Sequence, residues 1–175
     1  KTPGVPYGSV GNGSSQHLAG ALFEQLAGAK MQHVPYRITS QMQSDMVAGI
    51  VPVSFQLLPN VIGGIKSGQL RALAVASDKR LAALPDVPTA AEAGLKGFES
   101  AAWFGFLAPR GSPRPAIDRL NREVAAAVAD PAVRSRFTDF GADPITSTPE
   151  ELQKFISAEV VRWKEIITRG GIMLE

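Results

Sequence analysis

The sequence of 175 residues contains no cysteine, and that absence removes disulfides, thiolate nucleophiles, iron–sulfur clusters and thiolate zinc sites together. It does not decide the redox compartment. Histidine is nearly as scarce. Only His17 and His33 occur, in neither a His-x-x-x-His nor a His-Glu-x-x-His pattern, so no metal site is expected. An excess of one charge is also lacking: 18 Lys and Arg against 16 Asp and Glu leave a formal charge of +2. That is too little to argue for nucleic acid or a membrane surface on electrostatics alone. No apolar run approaches the ~18 residues of a membrane span, so no direct membrane insertion is expected. The opening Lys1-Thr2-Pro3-Gly4 has no charged-then-apolar signal pattern.

What is present suits a compact α/β body. Hydrophobic residues make up 45% of the chain, and 17 Gly with 13 Pro punctuate it into many short elements. Val5 to Ser9 reads as a strand, Val10 to Ser14 as a glycine loop, and Ser15 to Ala27 as an amphipathic helix stopped by Gly28. Leu18, Leu22 and Leu26 recur every four residues along that helix. Met31 to Tyr36 and Ile50 to Phe55 read as further strands. Between them lies a helix opened by Thr39-Ser40-Gln41, with Thr and Ser as expected N-caps. A helix after Leu58-Pro59-Asn60 ends at Gly68, and Leu70 to Ala76 reads as a fully buried fourth strand. The alternation of strand and helix predicts a largely parallel sheet.

Beyond Ser77 the composition shifts. Two prolines in Leu84-Pro85-Asp86-Val87-Pro88-Thr89 forbid a continuous helix, and Thr89 is expected to cap a short one through Gly94. Ala101 to Ala108 reads as an apolar, aromatic strand, with Trp103 and Phe104 as core residues in preference to a stacking platform. Only helical patterns follow: Pro115 to Ala129, Pro131 to Phe140 and Pro149 to Arg169, with Asp130 and Thr148 as caps. The stripe of Val160, Val161, Trp163, Ile166 and Ile167 is expected to be core. A lobe boundary is placed between Ser100 and Pro113. Parallel strands first and three helices last leave those helices without a sheet to cover, so a further piece is expected before Lys1.

The densest chemical signal is Gly8-Ser9-Val10-Gly11-Asn12-Gly13-Ser14-Ser15, between a strand and a helix start. Glycines let backbone approach a ligand, and the N–H groups of a helix N-terminus favour an anion. A tight turn with a serine cap explains the same residues. The glycine order matches neither a dinucleotide fingerprint nor a Walker loop, so carboxylate is as good an expectation as phosphate. Ser14, His17 and Asp45 do not lie in a nucleophile elbow, which argues against a hydrolase. His33 is expected to be structural.

Several segments together resemble one family. Tyr7-Gly8-Ser9-Val10-Gly11-Asn12-Gly13-Ser14-Ser15-Gln16-His17-Leu18-Ala19-Gly20, then His33-Val34-Pro35-Tyr36 and Leu70-Arg71-Ala72-Leu73-Ala74-Val75, are similar to the substrate-binding receptors of tripartite tricarboxylate transporters, the Bug family. The likeness continues through Leu84 to Gly94, Trp103 to Pro109, Arg162-Trp163 and Gly171-Ile172. It implies a type II periplasmic-binding-protein-like lobe with a largely parallel sheet flanked by helices. On that footing residues 1–100 form the second ligand-binding lobe. Residues 101–175 form a crossover strand and C-terminal helices that complete a first lobe lying before Lys1.

The resemblance further implies Ser9, Gly13 and Ser14 as ligand contacts and Gly11 and Asn12 as the loop that shapes the site, with Thr39 and Gln56 completing the candidate set. Two departures from the family pattern stand out: Arg37-Ile38-Thr39 where Lys-Gly is usual, and Gln56 where many relatives carry an acid. The implied function is a periplasmic receptor, not an enzyme, without cofactor, that captures a small carboxylate and delivers it to membrane transporter subunits. An effector-binding domain of a transcription regulator is the alternative; it would need a helix-turn-helix before it, and none occurs within these residues. A small-anion enzyme is a third reading, without an identifiable base. Should the first lobe be missing, the C-terminal helices are expected to bury their apolar face against a second copy, giving a homodimer.

Overall fold

The structure, a computed structural model, describes residues 4–172. The terminal residues of both expected lobes, 1–3 and 173–175, lie outside the described residues, as does most of the Lys1-Thr2-Pro3-Gly4 opening. The chain forms two compact units. The first runs to Ala102 and takes in the chain again from Trp163, and the second is Trp103–Arg162.

The first unit is built on a parallel sheet of order β2-β1-β3, with β1 at Val5–Ser9, β2 at Met31–Pro35 and β3 at Val53–Ser54. Register places Val5 opposite Met31, Ser9 opposite Pro35, and Gly8 opposite Ser54. Helices α1 (Ser15–Ala27), α2 (Thr39–Val47) and α3 (Leu58–Lys66) follow the three strands in turn. Parallel strands need such crossovers, and successive helices supply them.

Close backbone approach explains two glycines. A Cβ on Gly20 of α1 would lie 2.2 Å from the Tyr7 ring, so the helix rests directly on that aromatic. A Cβ on Gly8 would lie 2.9 Å from Met42, which is 0% exposed beneath α2. The core joins Ala19 and Leu22 of α1 to Ala90, Phe98 and Ile166, with Phe23, Phe55 and Trp163 packed against it. Leu26, expected on the buried stripe of α1, is exposed; Gln16, His17, Ala19, Gly20 and Ala21 are buried instead.

Some expected elements are absent among the described residues. Leu70 to Ala76 is not a buried strand: Leu73 is 65% exposed, and only Val75 makes a parallel bridge, to Thr89. A strand exists only with a partner, and none lies beside the rest of this segment. β3 keeps two residues of the six expected, because only Val53 and Ser54 reach β1. Thr89 caps a turn, not a helix: Glu92 N–H donates to its Oγ1 and its own N–H to Glu92 Oε2.

The second unit holds α4 (Arg114–Ala129), α5 (Pro131–Asp139) and the first part of α6 (Pro149–Gly170). Asp130 caps α5 by accepting from Ala132 N–H and Val133 N–H. Thr148 and Glu151 exchange capping bonds at the start of α6. Arg114 pairs with Asp118 and Glu150, but these exposed pairs contribute little. Trp103 meets Phe155 edge-on at 5.1 Å. The expected strand Ala101 to Ala108 does not form, and Phe104 is 89% exposed, not core. Val160 and Val161 are likewise exposed, whereas Ile166 from the same stripe is buried. No helix among the described residues is long and apolar enough to cross a membrane.

Candidate functional site

Parallel strands discharge their carboxyl ends at one edge of the sheet, and in open α/β sheets that edge is where ligands bind. The residues after β1, β2 and β3 meet there. Tyr36 N–H donates to Ser9 C=O at 2.8 Å, so the loops leaving β1 and β2 start side by side.

The loop after β1 is wound tightly by its own polar groups. Gly11 (φ 126°) and Gly13 (φ 72°) occupy the positive-φ region that side-chain-bearing residues avoid. Ser14 is the N-cap of α1: its Oγ accepts the His17 N–H at 3.3 Å and donates to Gly11 C=O at 2.7 Å. Ser9 is 0% exposed, and its Oγ accepts the Gly11 N–H at 3.1 Å. The Ser9 hydroxyl therefore shapes the loop from beneath. Asn12 lies exposed at the tip.

Two histidines lie under this loop. His33 Nε2 is 2.5 Å from Ser9 Oγ, and His17 Nδ1 accepts the Gly13 N–H at 3.1 Å. Their rings stack at 3.8 Å and 5°. Burial lowers the pKa of His17; burial and then the neighbouring His17 push His33 down to about 4. Tyr7 completes the layer, its hydroxyl donating to His17 C=O at 3.3 Å. Burial first, then Glu24, pushes its phenol up to about 12. Sequence reasoning missed Tyr7 as part of this layer and treated His33 as merely structural. The signal was available in strand alternation, since Tyr7, Ser9 and His33 share one face of the sheet.

Thr39 stands at the same edge but in a different role from the cap expected of it. It is the first helical residue of α2, and the N-cap is Ile38, which offers no side-chain acceptor. Ser40 is likewise inside the helix and not its cap. Met42 N–H makes the first bond back to Ile38 C=O, so the N–H groups of residues 39–41 precede any helical partner. Gln56 Nε2 donates to Ser54 Oγ at 2.5 Å, and Ser54 in turn donates to Gly8 C=O at 3.0 Å. Its buried Oε1 has no hydrogen-bond partner among the described residues. No group of three or more His, Asp or Glu side chains suited to a metal occurs among them either. Asp45 accepts from Tyr36 Oη at 2.8 Å, so it is not the third member of a Ser14–His17 relay.

Residues 1–172 match the tripartite tricarboxylate transporter family receptor, TctC. The chain belongs to the TctC family. Among TctC-family and related proteins, BugT of Bordetella pertussis is 36% identical over 163 residues, covering 93% of this chain and 50% of its own. A Rhodopseudomonas palustris protein, Rpa4515, solved with adipate, superposes with a TM-score of 0.87 at 34% identity, covering 98% of this chain and 57% of that one. MatC from the same organism, solved with malate bound, gives a TM-score of 0.75 at 32% identity over 93% of this chain and 56% of that one. The chain thus spans about half the length of BugT and of most of the other curated relatives it matches. The parallel sheet and flanking helices are part of a periplasmic-binding-protein fold.

Proposed function

We propose that this protein is the ligand-binding part of a periplasmic receptor that captures a small carboxylate and delivers it to the membrane subunits of a tripartite tricarboxylate-type transporter. The observation that carries the reading is the pairing, at one sheet edge, of the Gly11–Ser14 loop opening α1 with the uncapped start of α2. Backbone N–H groups and positive dipole ends at both starts can replace the hydration of a carboxylate. In this role Ser14, Gly13 and Thr39 face the anion, Gly11, Asn12 and Ser9 shape the loop, and Gln56 offers its free oxygen to a donor on the ligand. Relatives solved with adipate and malate support a dicarboxylate.

The protein acts by binding and not by turnover. Ser14 Oγ donates to Gly11 C=O, His17 Nδ1 accepts from Gly13 N–H, and Asp45 is held by Tyr36, so these three form no nucleophile–base relay, while Ser9, which does meet His33, is 0% exposed beneath the loop. Residues 1–100 are proposed as the second lobe, and 101–175 as a crossover and helices that complete a first lobe in the other half of a full-length relative. Phe104 and Phe106, both exposed, belong to that crossover. Without such a lobe the C-terminal helices, on which Val160 and Val161 are exposed, bury their apolar face against a second copy, and sedimentation as a monomer at high concentration would remove the dimer.

A thermal-shift screen of adipate, malate, citrate, acetate, amino acids and phosphate tests the receptor. A ligand at 100 times its dissociation constant adds about 2.7 kcal/mol of stability. A shift selective for dicarboxylates is expected, and a response to phosphate alone would overturn the proposal.

A further inference from the structure

The carboxylate reading makes no use of the two histidines beneath the loop. Each holds a different part of it. His33, opposite Tyr7 in the sheet, meets Ser9 Oγ through Nε2, and Ser9 in turn holds the Gly11 N–H. His17, in the first turn of α1, holds the Gly13 N–H through Nδ1. A ring nitrogen that accepts a hydrogen bond carries no proton, so the Gly13 contact requires His17 to be unprotonated at Nδ1. Two rings stacked at 3.8 Å cannot both be charged without strong repulsion.

We infer that His17 and His33 are positioning residues, a neutral stacked pair that sets Gly13 and Ser9 in the conformation that receives the anion and releases that conformation when the rings gain protons. The inference rests on the carboxylate-receptor reading of the loop. Protons can reach the pair, since both rings line a cavity of about 330 Å³ together with Tyr7, Glu24 and Arg169. These are the other titratable and charged groups that line the cavity with the rings, from β1, α1 and α6 respectively. Arg169 is already paired with Glu165, and Tyr7 remains protonated across the accessible range because its phenol is pushed up to about 12.

The direction of the pH effect follows from burial. His33 falls from 6.5 to about 4 in the folded protein, so the unfolded chain takes up its proton first. The neutral pair therefore contributes its full stability above about pH 6.5 and loses it as pH falls toward about 4. An unburied histidine pair would instead charge near pH 6.5 with the fold unaffected.

The test follows the imidazole and Gly13 amide resonances of the intact protein by NMR from pH 8 downward, without ligand. The His33 ring should stay neutral through pH 6 and His17 should gain its proton only below the ordinary histidine value, and the Gly13 amide should lose its shift and exchange protection in step with His17. In parallel, adipate affinity is measured for His17→Leu, His17→Asn, His33→Leu and His33→Gln. Loss of one hydrogen bond predicts about tenfold weaker binding in each Leu variant. The Asn and Gln variants, which keep a neutral polar atom, should recover most of it; His17→Asn should no longer show the acid transition in the Gly13 amide, whereas His33→Gln should retain it, because His17 still holds that amide. A Gly13 amide indifferent to ring titration would overturn the inference even where a Leu variant fails to fold. If no carboxylate binds the wild type, the receptor reading fails by itself, and the amide titration still decides whether the histidines set the loop.

Discussion

Helices α1 and α2 begin at the same edge of the sheet, one strand apart, yet their first turns are prepared in opposite ways. The start of α1 is preceded by two positive-φ glycines, capped by Ser14 and braced by two histidines. The start of α2 follows Ile38, extended and without a capping side chain. A capped start has spent part of its donor capacity on its own rigidity, whereas an uncapped one keeps its N–H groups for water or a ligand. The pair thus combines a shaped half and a receptive half.

The largest effect comes from unseating the receptive half. Met42 is 0% exposed and fills the space that Gly8 leaves between β1 and α2. Met42→Ala should cost about 3 kcal/mol of stability by creating a cavity, read from denaturant unfolding. A loss below about 1 kcal/mol would mean that α2 is not anchored by this residue.

Next is removal of the cap from the shaped half. Ser14→Ala deletes the acceptor for His17 N–H and the donor to Gly11 C=O. It should cost about 1 kcal/mol of stability and weaken carboxylate binding, both measurable by calorimetry. Unchanged affinity at reduced stability would make Ser14 a cap and nothing more.

The smallest and most discriminating change makes the two starts alike. Ile38 is 59% exposed, so Ile38→Ser sacrifices little burial and supplies the missing cap. Stability should rise by about 0.5 kcal/mol, while affinity for adipate falls, because the new hydroxyl competes for the N–H groups. Stability and affinity rising together would show that the bare start of α2 is not where the anion sits.

The start of α1 was fully legible because its signals are local. Glycines, a hydroxyl and a helical repeat lie within Val10 to Ala27, and the strand Val5–Ser9, the loop after it and the helix Ser15–Ala27 form as expected, with Gly28 in the left-handed conformation. Asp130 and Thr148 were legible for the same reason, each capping its own helix. Leu70 to Ala76 and Ala101 to Ala108 carry the apolar, β-prone composition of strands, but pairing is decided by what lies alongside and not by composition. The cap of α2 falls at Ile38 and not at Thr39 or Ser40, whose hydroxyls resemble caps, because helix ends read from sequence are uncertain by a residue or two. The His33–Ser9 contact joins residues 24 apart in sequence. Only the register that sets Ser9 against Pro35 brings them together.

The bond from Tyr36 N–H to Ser9 C=O has an electrostatic consequence. By tying the exits of two adjacent parallel strands, it holds the positive ends of α1 and α2 at a common rim, where each carries roughly half an elementary charge. Like poles held together repel, and water screens that repulsion only in part. That repulsion puts the rim under tension, which a carboxylate bound as proposed would relax in addition to making its own contacts. Dissolved salt should relax the same tension, steadying the vacant protein while competing with the ligand.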